Sequence, residues 1–201
     1  MRIGNLARRI DPLADDEFDR LFERFEHTAF RLETLQHYSM PYEDGLLRRF
    51  LAGELEPVGL NEKYAWWRGL IADAVTVGKR VERIHVVAEP LSDYMRFQLA
   101  WLYPGNAVAG EDIRIIPISS GRWPADLPGY GHDYWLLDSQ TLALLHYDHE
   151  GRFVAVDLTD NESQIAQANA WRDAALHQAI SYKEYMNRSK LRAEDHLVGD
   201  D

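Results

Sequence analysis

The sequence predicts an α+β domain: N-terminal helices, a largely antiparallel sheet of four to five strands that includes a three-stranded meander, and a closing C-terminal helix. Three observations carry this expectation. Apolar residues recur at helical spacing over much of 15–78. From Val81 the period changes to two. Two tight turns then separate three short β-rich runs, before a last helical stripe. The chain divides into a flexible lead-in at 1–14, one domain at 15–186 (helical 15–78, sheet 81–158, helix 161–186) and a polar tail at 187–201.

The first helix opens on Asp15, Asp16 and Glu17, whose negative charge suits a helix N-terminus. Phe18, Leu21, Phe22, Phe25, Ala29 and Leu32 make one apolar face of about five turns. A second helix follows Pro41 through Tyr42, Leu46, Leu47, Phe50 and Leu51, and Gly53 can end it. Asn61 is placed to cap a third, which buries Tyr64, Trp67, Leu70, Ile71 and Val75 before Gly78. Residues 81–88 read as a strand. Residues 90–103 fit a helix through Leu91, Tyr94, Met95, Leu99 and Leu102, or a two-sided strand, with the helix favoured. A turn is expected at Pro104-Gly105-Asn106. Residues 112–118 carry isoleucines toward both faces, as a central strand does. The meander is expected at 134–138, 142–147 and 152–158, with turns at Ser139-Gln140 and 148–151. Asn161 or Ser163 caps the last long helix, and Ser181 with Glu184 forms a second capping pair. Helices are expected on one face of the sheet.

Composition narrows the function classes. The 201 residues carry 22 Lys and Arg against 33 Asp and Glu, a net charge of −11, with 46% hydrophobic residues and no cysteine. Wholesale disorder, disulfides, thiolate nucleophiles and cysteine-ligated zinc are excluded. The acidic balance argues against direct nucleic-acid binding, which needs clustered Lys and Arg. No apolar run approaches the roughly 20 residues of a membrane span, and the N-terminus lacks the apolar core of a secretory signal. A cytoplasmic protein with no membrane contact is expected.

Chemistry-bearing residues collect around the meander. His132, Asp133 and Trp135 open it, and His146, Tyr147 and Asp148 close its middle strand. A tight hairpin would set Asp133 beside His146 and His132 beside Tyr147. Imidazole and carboxylate together suit acid–base work or a divalent metal, with His132, His146 and His149 as candidate ligands. A histidine fixed by an aspartate at a hairpin end is the plainer alternative. Tyr94 with Arg96, and Asp112 with Arg114, form two further polar groups. The arginines could hold an anion or complete an ion network. Trp123 and Tyr130, in the Gly- and Pro-rich loop 119–132, are placed to contact a partner, whereas most other tryptophans suit core packing. The phosphate-loop, dinucleotide, nucleophile-elbow and zinc-protease motifs are absent. No cofactor is expected beyond the metal left open at those histidines.

The runs FDRLFERFEHTAFRLET at 18–34, EPLSDYMRFQL at 89–99, AGEDIR at 109–114, HDYWLLD at 132–138 and HYDHEGRF at 146–153 resemble an actinobacterial, Streptomyces-type family of uncharacterised domains found near helix-turn-helix regulators. The order from residue 113 to 186 is also similar to the C-terminal sensor region of Scr1-type antitoxin-like regulators. Those regulators begin with a helix-turn-helix that this chain lacks. The resemblance implies a regulatory partnership and singles out Tyr94, Arg96, Asp112, Arg114, His132, Asp133, Trp135, His146, Tyr147 and Asp148. The expectation is a non-enzymatic regulatory, interaction or ligand-sensing domain that acts with a regulator protein or a small ligand, with a homodimer left open. The alternatives are a small specialised-metabolism enzyme with a His/Asp site, and a toxin-like effector.

Overall fold

A computed structural model describes residues 8–11, 17–55, 61–119 and 121–188. The elements in chain order are β1 (Arg8–Ile10), α1 (Glu17–Arg24), β2 (Thr28–Glu33), α2 (Asp44–Leu51), α3 (Glu62–Thr76), β3 (Arg80–Ala88), α4 (Asp93–Phe97), a π-helical turn (Gln98–Leu102), α5 (Tyr103–Ala109), β4 (Asp112–Ile118), β5 (Asp133–Leu137), β6 (Thr141–Tyr147), β7 (Phe153–Thr159), α6 (Glu162–Gln178) and β8 (Ile180–Ser181). Residues 182–188 are helical.

The eight strands form one mixed sheet in the order β1-β7-β6-β5-β2-β3-β4-β8. This overturns the expected four to five largely antiparallel strands, although the domain remains α+β. The difference begins at Thr28–Glu33. Ala29 and Leu32 fit the apolar face of a long first helix, but α1 stops at Arg24 and the segment pairs as a central strand. It lies parallel to β3 and antiparallel to β5. A strand covered on both faces buries successive residues, and 29–33 are all buried. β2, β3 and β4 are parallel neighbours, joined by α2–α3 and by the helical segment 93–109. Residues 112–118 lie near the sheet edge rather than at its centre, beside the two-residue β8. Of the lead-in, Arg8–Ile10 pairs with β7, while 1–7 and 12–14 fall outside the described residues. Of the tail, 189–201 also falls outside them.

Helices cover both faces, not one. On one side Ala168 and Ala175 of α6 pack on Phe30, Leu32, Ile84, Val86, Tyr134 and Leu136. On the other, Phe22 of α1 and Ile71 and Ala74 of α3 meet Ala29, Val81, Trp135 and Leu145. The caps are local: Asn61 accepts from the Tyr64 amide and Asn161 from the Gln164 amide, both at 3.1 Å. The expected turn at Pro104 is helix instead, because proline is tolerated in a first turn. There the Arg68 guanidinium lies against Gly105, where any Cβ would overlap it.

Asp138 ties the β5–β6 turn to the start of β2. Its carboxylate accepts from the amides of Glu26, His27 and Thr28 at 2.8, 2.7 and 2.8 Å. Burial alone would raise this carboxyl, but the three N–H donors outweigh it and hold the group below its usual value. A folded-state value below the unfolded one stabilises at neutral pH, and that stabilisation fades as pH falls through the depressed value. Asp138→Ala should therefore cost about 1–3 kcal/mol at pH 7 and less at pH 3, read by urea unfolding. A pH-independent difference would count against this role.

Candidate functional site

Strand alternation sends Arg31 and Glu33 of β2, Arg83 and His85 of β3, Asp133 and Trp135 of β5, and Tyr147 of β6 to the face opposite α6. Arg31, Glu33, His85 and Asp133 are all buried. Charges taken out of water survive only when paired, and these are. Arg31 meets Asp133 at 3.2 Å and Glu33 at 3.4 Å, and donates to the Tyr147 hydroxyl at 3.0 Å. Arg83 bridges Glu33 at 2.7 Å and Glu111 at 2.9 Å. Asp133 also accepts from the Thr34 amide (2.8 Å), the Thr34 hydroxyl (2.6 Å) and the Tyr38 hydroxyl (2.5 Å).

The electrostatics follow from this pairing. Burial works against each charged form, yet the guanidiniums of Arg83 and Arg31 hold the Glu33 carboxyl far below its ordinary value. Burial lowers His85, so the neutral imidazole is favoured. Its Nδ1 faces the Tyr103 hydroxyl and its Nε2 the Leu35 carbonyl, both at 2.7 Å. Burial also raises Tyr38 and Tyr147, so both hydroxyls stay protonated at neutral pH, Tyr38 donating to Asp133 and Tyr147 accepting from Arg31.

Above this floor lies a cavity of about 620 Å³. Phe18 and Phe22 of α1, Trp66 and Trp67 of α3, and Trp135 and Phe153 of the sheet give it aromatic walls. Glu43, at the start of α2, closes one side. It accepts from the Tyr64 hydroxyl at 2.6 Å and the Tyr94 hydroxyl at 2.5 Å. Burial pushes its carboxyl up to about 7, against the pull of those two phenols. The π-helical turn sets Gln98 and Leu102 on the same cavity, and Gln98 donates to the Tyr94 hydroxyl at 2.5 Å.

Of the residues singled out from the sequence, Tyr94, Asp133, Trp135 and Tyr147 meet at this cavity or its floor. The others lie elsewhere. Arg96 is exposed and pairs with Asp93. Arg114 pairs with Asp112 at 2.8 Å on the surface. His132 is exposed, its Nδ1 3.1 Å from the Gly129 carbonyl. His146 meets Asp157 at 2.8 Å, Asp148 pairs with Arg152 at 2.7 Å, and His149 is exposed. The expected hairpin register was one residue off: Asp133 pairs with Leu145, not His146. With a side-chain period of two, that step turns His146 to the opposite face from Asp133. Among the described residues no group of three His, Cys, Asp or Glu stands where it could hold a metal. In the loop, Trp123 is half-buried and donates to the Pro128 carbonyl at 2.7 Å, while Tyr130 is exposed against it. Sequence reading missed Arg31, Glu33, Arg83, Glu43, Tyr38, Tyr64 and Tyr103. The one signal available was the alternation of Arg83 and His85 with Ile84 and Val86.

Two solved structures are similar to most of the chain. One is TrmBL2, an archaeal chromatin protein with a novel mode of DNA binding. Its TM-score is 0.49 and its identity 10%, covering 88% of this chain and 53% of that one. The other is phosphatidylserine synthase of Haemophilus influenzae Rd KW20, with a TM-score of 0.41 and 11% identity over 90% of this chain and 43% of that one. The chain thus spans about half the length of the structures it matches. No curated protein matches the sequence. A family model described as a domain of unknown function, DUF6879, matches residues 16–187, and the chain belongs to that family.

Proposed function

We propose that this protein is a non-enzymatic ligand-sensing domain whose ligand sits between the sheet and α1–α3. The carrying observation is the cavity of about 620 Å³, which has aromatic walls over a floor of paired charges. That size and lining suit a small organic molecule. Arg31, Arg83, Glu33 and Asp133 each hold opposite charges, and both nitrogens of His85 are engaged. Such a floor is rigid and suited to selecting a ligand.

A route outward supports a sensing role. The Thr34 hydroxyl donates to Asp133 and accepts from the Gly131 amide at 2.9 Å, next to exposed Tyr130. On this reading, occupancy of the cavity is felt in the 121–132 loop, which would meet a helix-turn-helix regulator. The working context is the cytoplasm of an actinobacterium. No described helix is long and apolar enough to cross a membrane, which agrees with that setting.

Indole is a suitable neutral probe. It should raise the melting temperature and shift tryptophan emission, because Trp66, Trp67 and Trp135 line the cavity. Met40→Trp, which adds bulk at the cavity wall, should reduce both responses. No binding of indole or its derivatives at millimolar concentration would overturn the ligand-sensing reading.

A further inference from the structure

Four cations line the cavity, Arg31, Lys63, Arg83 and Arg152, and each already has a carboxylate partner. Arg31 and Arg83 are each already bound by two carboxylates, so an incoming anion would have to displace a buried partner. Their partners Glu33, Asp133 and Glu111 outnumber them three to two. Glu43 adds a fourth carboxyl, and among the described residues no cation stands within ion-pair distance of it. Its two bonds come from neutral phenols. The ring faces already attract cations here: Lys63 lies 4.3 Å from the Trp66 centroid, and Arg31 lies 5.6 Å from that of Trp135.

Resting on the ligand-pocket reading, we infer that the ligand is a small aromatic organic cation whose ammonium group is held by Glu43 and whose ring stacks on the tryptophan wall. An ammonium supplies what Glu43 lacks, a charge-assisted donor in a site shielded from water. The aromatic part occupies apolar surface that a hydrated inorganic cation would leave unfilled.

Glu43 also makes binding depend on pH. It is faced by Tyr64 of α3, by Tyr94 and Gln98 of the helical segment 93–102, by Tyr42 from its own turn, and by the fields of Glu33 and Arg83 from the sheet. With its carboxyl up at about 7, a bound ammonium would draw the proton off, so affinity rises with pH.

The test uses the full chain and three probes of one ring system: tryptamine, indole and indole-3-propionate, titrated by calorimetry at pH 6 and pH 8. Tryptamine should bind at least tenfold more tightly than the acid at pH 8. Its affinity should rise roughly tenfold from pH 6 to pH 8, with proton release seen as a buffer-dependent heat. In Glu43→Gln the advantage of tryptamine over indole should disappear, and a melting curve verifies that this variant is folded. Indole and the acid binding as tightly as tryptamine would overturn the cation assignment and leave the pocket standing. No binding by any of the three would overturn both.

Discussion

Replacing Arg83 by methionine is expected to cost about 3–5 kcal/mol, the range for removing one partner of a buried ion pair. The side chain bridges Glu33 and Glu111, and both carboxylates sit in the interior. Without the guanidinium, Glu33 keeps Arg31 at 3.4 Å and Glu111 keeps the Asn106 amide at 2.9 Å. Neither replaces the lost bridge between β3 and the start of β4. Arg83→Lys should fall between the two, since an ammonium restores charge but not the fork that spans two carboxylates. Urea unfolding at pH 7 reads both, and a loss below about 1 kcal/mol for Arg83→Met would mean that water solvates the network.

Glu43→Gln is expected to stabilise the free protein at alkaline pH. The Glu43 carboxyl stands at about 7 in the folded chain, against an ordinary 4.5. Below 4.5 both states hold the proton and the group contributes no difference. Between 4.5 and 7 the native state keeps a proton that the unfolded chain has lost, so stability falls as pH rises. Above 7 both are ionised and the full cost applies, about 3 kcal/mol at roughly 1.4 kcal/mol per pH unit. Glutamine never ionises; its amide oxygen accepts from one of the two phenols, and its NH2 can donate to the hydroxyl oxygen of the other. The variant should match the parent near pH 4 and exceed it by up to about 3 kcal/mol at pH 8. A difference that stays flat across this range would refute a buried, unpaired carboxyl. The same group would hold the ammonium in the proposed complex. Stability lost by the empty protein at pH 8 is then regained on binding, as expected where a site is kept unsatisfied for its ligand.

How far the site was legible can be judged from particular residues. Asn61, Asn161 and Ser181 act as the helix-start caps their spacing announces, because capping is settled within three residues. The three meander runs at 133–137, 141–147 and 153–159 also follow from local alternation and turn residues. Asp133, Trp135 and Tyr147 were found because they stand inside those readable runs, and Tyr94 because it lies in the 90–103 segment with readable helical spacing. Arg31 and Glu33 were not. In the sequence they fit the wet side of a helix, and the buried Arg31 takes its counter-charge from Glu33 and from Asp133, 102 residues later.

Taken alone, the sequence determined the α+β composition, the caps, the turns and the presence of aromatic and His/Asp-rich segments, all properties set by neighbours within a few positions. Only the tertiary structure decided that Thr28–Glu33 is a central strand, that Asp133 pairs with Leu145 rather than His146, and that the chemistry centres on Arg31, Glu33, Arg83 and Glu43. The physical reason is that local period describes amphipathic pattern alone. Which face of a strand is buried, and which charges can follow it inside, depends on partners that the chain brings together from far apart.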